Sequence, residues 1–300
     1  MRIKIILMIL AAAILAIPEL TAASAGSSSF IFLRIGSGSR PAALSEAVTA
    51  SGVDISSSFY NPALLRSFEG NNQAVFMYNS YFQDVSQNYL SLAAKGKRYS
   101  LGGYLWLGKV GDIERRTNPS ANPDGLFDEN HFVGSFGFAY DFDYLDFGLS
   151  LKYAYEKIDY SSANAVMIDA GIYAPLTDEL SIGAAMKNLG TEPKFESESF
   201  PLAKEYRLGL SYKPMYLNQM VEILTDAVFY SDTDSKINFG AEYTYNRYFS
   251  LRTGYGIGWD SRGVSVGGGV FYNQFKFDYA FVNYKNDLGN THRFTLVAGF

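Results

Sequence analysis

The chain has 300 residues, a formal net charge of −5, no cysteine, two histidines and 28 glycines, and aromatic side chains (23 Phe, 23 Tyr, 2 Trp) make up 16% of it. It is too apolar to be disordered, too acidic to bind nucleic acid through a basic surface, and lacks the residues of zinc ribbons, disulfide scaffolds and His-rich metal sites. The aromatic and glycine content suits all-β structure, where Tyr and Phe favour strands and Gly marks turns, bulges and close backbone contacts.

At the amino terminus Arg2 and Lys4 precede an uncharged apolar run from Ile5 to Ile17, and Ala23-Ser24-Ala25 supplies the small residues a signal peptidase reads. That run of 13 residues is too short for a hydrocarbon core of ~30 Å, which needs about 20. Residues 1–25 are therefore expected to be a cleaved export signal. Farther on no window approaches 18 uninterrupted apolar residues, so a membrane-embedded remainder would have to be a closed barrel, since only helices and barrels satisfy every backbone group in lipid.

After a segment at 26–73, alternation with period two dominates. Between Leu145 and Glu156, one face carries Leu145, Phe147, Leu149, Leu151, Tyr153 and Tyr155, and the other Asp146, Gly148, Ser150, Lys152, Ala154 and Glu156. The same reading predicts fourteen strands, near 74–81, 85–95, 99–108, 131–140, 144–156, 164–174, 180–190, 205–213, 219–230, 236–246, 249–257, 263–272, 275–282 and 291–300.

Alternation alone does not separate a soluble sandwich from a membrane barrel. Strand lengths near the ~9–11 residues that cross a bilayer at a tilt favour the barrel. Connections that alternate between short turns and longer loops, such as 109–130 and 191–204, favour it too. The charged strand residues share the less apolar parity, among them Lys152, Asp169, Lys187, Arg207, Glu242, Arg252 and Asp278. A mid-membrane Lys or Arg facing lipid costs about 2–4 kcal/mol, so these side chains are expected to face the lumen, mainly as structural ion pairs. Phe294, Leu296 and the terminal Phe300 share one parity of the last strand and are expected to form the signal for the barrel-assembly machinery. A lumen of fourteen strands is too wide for its own side chains to fill, which makes 26–73 the expected hatch or plug and 74–300 the barrel.

Two stretches, Gly36-Ser-Gly-Ser-Arg40-Pro41-Ala-Ala-Leu-Ser-Glu46-Ala47 and Ser57-Ser-Phe59-Tyr60-Asn61-Pro62-Ala63-Leu64-Leu65, resemble the amino-terminal signature of the PorV/PorQ family in the FadL-like outer-membrane superfamily. The likeness continues in order through Lys187-Asn188-Leu189-Gly190, Leu251-Arg252-Thr-Gly254-Tyr255 and Asp278-Tyr279-Ala280-Phe281. The stretch after Arg40, usually glycine-rich in that family, reads Leu44-Ser45-Glu46 here, and the long loops are modest. The resemblance implies a 14-stranded barrel in the outer membrane of a diderm bacterium, with a hatch in which Arg40, Pro41, Phe59, Tyr60, Asn61, Pro62 and Ala63 are the candidate gate residues. It also implies passage of hydrophobic molecules through a side gap in the wall, for which Gly102-Gly103 is the candidate position.

Two functions are expected from different classes. One is passive transport of hydrophobic compounds such as fatty acids; the other is a PorV/PorQ-type role among the proteins of a type IX secretion system. Outer-membrane lipid is an expected partner in either case, nucleic acid in neither. No enzyme activity, cofactor or metal is expected. Asp141-Phe-Asp143-Tyr-Leu-Asp146 and the acids at 124–129 lack the spacing of a calcium loop. His131 and His292 are far apart in sequence and sit near strand ends, so no catalytic triad is expected. Gly267-Gly268-Gly269 has no following helix, so it is no phosphate loop.

Overall fold

The computed structural model describes residues 27–81, 85–119, 122–196, 198–217 and 220–300; the expected export signal at 1–25 lies outside the described residues. From residue 27 to 71 the chain consists of short turns joined by irregular backbone: 3-10 turns at Ile31–Arg34, Ile55–Phe59 and Pro62–Arg66, and a five-residue helix, α1, at Ser39–Ala43. The strands then follow: β1 (Asn72–Ser80), β2 (Val85–Lys95), β3 (Tyr99–Arg115), β4 (Gly125–Asp141), β5 (Asp146–Ile158), β6 (Ser161–Pro175), β7 (Leu180–Gly190), β8 (Lys194–Phe195) and β9 (Glu198–Ser199). The remainder are β10 (Glu205–Tyr212), β11 (Val221–Tyr230), β12 (Lys236–Tyr245), β13 (Phe249–Ile257), β14 (Arg262–Tyr272), β15 (Phe275–Tyr284) and β16 (Gly289–Gly299). All but β8 and β9 form one closed antiparallel barrel of fourteen strands, sealed where β1 pairs with β16 from Gln73 opposite Gly299 to Ser80 opposite His292. β8 and β9 make a separate hairpin in the connection between β7 and β10. Among the described residues no helix is long and apolar enough to cross a membrane.

The alternation becomes an inside and an outside. On β13, Phe249, Leu251, Tyr255 and Ile257 are exposed while Ser250, Arg252 and Gly254 are buried; on β5, Leu149, Leu151 and Tyr153 are exposed while Ser150, Lys152 and Ala154 are buried. An exposed apolar face and a buried polar one invert the soluble pattern and match a wall that faces hydrocarbon.

Two expectations at the loops change. β3 and β4 run beyond the predicted 99–108 and 131–140, so most of the expected loop at 109–130 is a projecting hairpin whose ladder reaches Arg115 opposite Gly125. The extension has no single apolar face to reveal it, since Val110, Ile113, Leu126 and Phe127 fall on both parities; Lys109 and Asp128 pair across it at 2.7 Å. A bulge interrupts it between Val110 and Ile113, where Asp112 takes φ 56°. Likewise the expected loop at 157–163 shrinks to a turn at 159–160.

The proposed side gap is not found at Gly102-Gly103. Both residues are paired on both sides, with Ala93 and Leu92 of β2 and with Gly137 and Phe136 of β4. The absence of a side chain at Gly102 serves packing instead: a β-carbon there would stand 2.8 Å from Leu65 Cδ1, a side chain of the N-terminal segment.

That segment lies inside the barrel. A β-carbon at Gly148 of β5 would collide with the backbone of Pro62 and Ala63, and one at Gly171 of β6 with the Asn61 amide. Gly148→Leu is therefore expected to unseat residues 61–63 at a cost of about 1–3 kcal/mol, the usual range for overpacking, while the barrel still forms. Limited proteolysis would show new cleavage near residue 61, with heat-modifiable gel migration unchanged.

Candidate functional site

Within the lumen the N-terminal segment is tied to the wall by one alternating chain of buried charges. Arg40 of α1 reaches Glu242 of β12 with Nε at 2.8 Å and Glu222 of β11 with Nη2 at 3.0 Å. Glu242 accepts from Arg252 of β13 at 2.6 Å, Arg252 donates to Asp278 of β15 at 2.7 Å, and Lys276 approaches Asp278 at 2.9 Å. Lys276 then returns to the segment, donating to Asp54 at 2.8 Å. A second set does the same higher in the lumen: Arg262 of β14 donates to Glu46 at 2.7 Å, and Arg207 of β10 donates to Asp226 at 2.9 Å, to Glu205 at 2.7 Å and to Thr49 Oγ1 at 2.8 Å. Burial alone would push the Glu46 carboxyl up, but Arg262, with Arg207 and Arg293, holds it below the usual range.

The gate candidates fall into this framework. Pro41 lies buried in α1 beside Arg40. Asn61 is extended and caps the turn that Pro62 begins, its Oδ1 accepting from the Ala63 amide at 3.1 Å. Its Nδ2 donates to Thr49 O at 2.8 Å and to Ile172 O of β6 at 2.9 Å, so one side chain joins two parts of the segment to the wall. The Lys187 ammonium stands 4.4 Å from the Phe59 ring centre and the Arg207 guanidinium 5.1 Å from that of Tyr60, whose hydroxyl donates to Ser37 O at 3.1 Å.

The remaining wall charges are also internal. Lys152 pairs with Asp169 at 2.7 Å, and Asp169 accepts from the Asn188 amide at 2.8 Å, where β7 bulges and Asn188 takes φ 62°. By contrast Phe294, Leu296 and Phe300 belong to the outer surface: Phe294 and Phe300 are exposed, and Leu296 pairs with Phe76 of β1 and Phe277 of β15.

Two cavities flank the segment. At the rim that carries the short turns and the end of β16 lies a polar one of about 890 Å³, lined by Asp54, Glu222, Glu242 and Lys276 from the charge chain. At the opposite rim lies an apolar one of about 630 Å³, walled by Phe30, Phe32, Trp106, Val110, Ile158 and Phe195. Phe32 stacks on the His131 imidazole with ring centres 4.2 Å apart. The sequence reading assigned no role to this cavity. A signal was available in Trp106, one of two tryptophans, placed on the inward parity of β3, and in Phe30-Ile-Phe32-Leu33 at the start of the segment. What joins them is folding, which carries residues 28–35 to the rim of β3, β4 and β5.

Comparison with known proteins yields no matching family model and no matching curated protein. Solved structures do match. The chain is similar to the Pseudomonas putida toluene transporter TodX, with TM-score 0.70, 13% identity, and coverage of 88% of this chain and 99% of that one. It is similar to the Ralstonia pickettii toluene transporter TbuX, with TM-score 0.65, 13% identity, and coverage of 87% and 97%. A Pseudomonas aeruginosa FadL homologue gives TM-score 0.56, 11% identity, and coverage of 87% and 97%. At such identities the likeness is one of fold, and it extends over nearly the whole of each structure. It places the chain's fold with FadL-type barrels and does not single out the PorV/PorQ family.

Two outcomes follow for the seat of the segment. Arg40→Ala leaves Glu222 and Glu242 short of a buried partner and is expected to destabilise the protein by about 3–5 kcal/mol, measured as the shift in a urea unfolding midpoint. Burial raises the pKa of Asp54, yet Lys276, Ser56 and Arg40 bring it from 3.8 down to about 2. The stability from this depressed carboxylate is complete above pH 3.8 and is lost as pH falls through about 2. Protease protection of residues near 54 should fall across that window in the wild type, and Asp54→Asn should flatten the response.

Proposed function

We propose that this chain is an outer-membrane channel for passive passage of uncharged hydrophobic molecules, with residues 26–73 as a hatch. The carrying observation is the apolar cavity of about 630 Å³ at one rim of a closed barrel, above the buried segment. Its size lies within the ~300–1,000 Å³ of small-molecule sites. The projecting β3–β4 hairpin and the 191–204 connection are on the cavity's rim, and longer connections are the extracellular habit of such barrels. Molecules would thus enter the cavity from outside the cell. The described lining contains no Lys or Arg, so a carboxylate head group finds no basic partner there, which favours neutral compounds over ionised fatty acids. The toluene transporters among the structural neighbours support the same class of substrate. No feature of the fold favours the type IX secretion alternative over this reading.

In this reading the hatch must yield, because the charge chain and the Asn61 ties fill the path between the two cavities. Ser39 Oγ of α1 lies 2.7 Å from Thr295 Oγ1 of β16, so cysteines at both positions would tether hatch to wall in a chain that has none of its own. In proteoliposomes, oxidised Ser39→Cys/Thr295→Cys protein is expected to lose toluene uptake and regain it on reduction; unchanged uptake when tethered would overturn a mobile hatch. Val110→Trp, which fills the apolar cavity, is expected to slow uptake about tenfold, equivalent to ~1.4 kcal/mol. Toluene flux no faster than in empty liposomes would refute the channel itself.

A further inference from the structure

We propose that Glu129, His131 and Glu156 form a binding site for one divalent transition ion of the Zn2+ type at the wall of the apolar cavity. Glu129 and His131 stand two apart on β4 and so point to one face, and Glu156 of β5 is the direct cross-strand partner of His131. One donor atom from each lies within 4.8 Å of the others. His131 Nε2 is 2.7 Å from Glu129 Oε1 and 3.2 Å from Glu156 Oε1. Zinc bonds of ~2.0–2.2 Å hold tetrahedral donors about 3.4 Å apart, so a small side-chain rotation on three adjacent, backbone-fixed positions admits the ion.

The charge balance supplies an independent reason. Among the described residues, every other carboxylate buried in the barrel has a Lys or Arg in a salt bridge, from Glu46 with Arg262 to Asp278 with Arg252 and Lys276. Glu156 is equally buried, at 7% exposure, yet it and Glu129 have no Lys or Arg in a salt bridge and share His131. Two carboxyl groups share one imidazole with no permanent cation beside them, and a divalent ion would supply the missing positive charge. The donor set, one imidazole nitrogen with two carboxylate oxygens and no sulfur, suits zinc and related ions. All three residues line the cavity, so a fourth position stays open to water or a ligand. The buried indole nitrogen of Trp106, on a residue lining the same cavity, has no hydrogen-bond partner among the described residues and is a donor available to a molecule held there. The Phe32 ring stacked on His131 fixes the plane of the imidazole. An ion there would join β4 to β5 next to the channel mouth and leave the cavity neutral.

The test uses full-length folded barrel, freed of its purification tag, stripped with chelator and titrated with Zn2+ alone. One ion per chain is expected by calorimetry and elemental analysis. His131→Asn and Glu156→Gln should each weaken binding about 100-fold or more, exceeding the 10- to 100-fold cost of losing an outer-shell partner. His292→Asn, which alters the other histidine beside Tyr279, should leave binding unchanged. Heat-modifiable migration reports whether each variant folds, and X-ray absorption of the wild type should show one imidazole among oxygen donors. Failure to bind Zn2+, binding that survives His131→Asn, or a coordination shell without imidazole would overturn the site and leave His131 holding a proton between the two carboxylates.

Discussion

The structure depends on the neutralisation of charges that a lipid-facing wall turns inward. Once the apolar parity of each strand meets hydrocarbon, Glu222, Glu242, Arg252, Asp278 and Lys276 have nowhere to go but the lumen. Their desolvation is offset only by partners in near-ideal geometry. The wall supplies some of these itself, such as Arg252 for Asp278, but Arg40 and Asp54 at the two ends of the chain, and Glu46 opposite Arg262, come from the N-terminal segment. Segment and wall are consequently one electrostatic unit. A barrel emptied of the segment would hold unpaired buried charge.

The same arrangement divides the lumen chemically. The charge chain lines the polar cavity at the short-turn rim, while Phe30, Phe32 and Trp106 line the apolar one opposite. On the proposed function, a hydrophobic molecule is stabilised on one side of the segment and meets a dense polar barrier beyond it. Glycine sets the fit of the segment: Gly148 and Gly171 let Pro62, Ala63 and Asn61 touch the wall, and Gly102 admits Leu65.

Much of this was readable along the chain. The fourteen barrel strands were legible because the two solvents, lipid and lumen, impose opposite preferences on alternate residues, and the inward charges followed from the cost of the other orientation. The ends of β3 and β4 were not, since there apolar and polar residues mix on both faces across a bulge and the alternation loses its contrast while the backbone ladder continues. Gly102-Gly103 misled for a related reason: glycine in a strand marks either a broken ladder or a close neighbour, and only the position of Leu65 decides between them.

The sequence by itself determined the closed all-β wall, its inside and outside, and the presence of a long segment ahead of the first strand, because these rest on local periodicity and on the number of residues left over. Tertiary structure decided everything that depends on register between distant strands. The sequence marks Arg40 as charged but not that Glu222 and Glu242 await it 182 and 202 residues later. It shows His131 and Glu156 but not that antiparallel pairing sets them opposite one another. Alternation fixes which way a side chain points; only the closed sheet fixes what it points at.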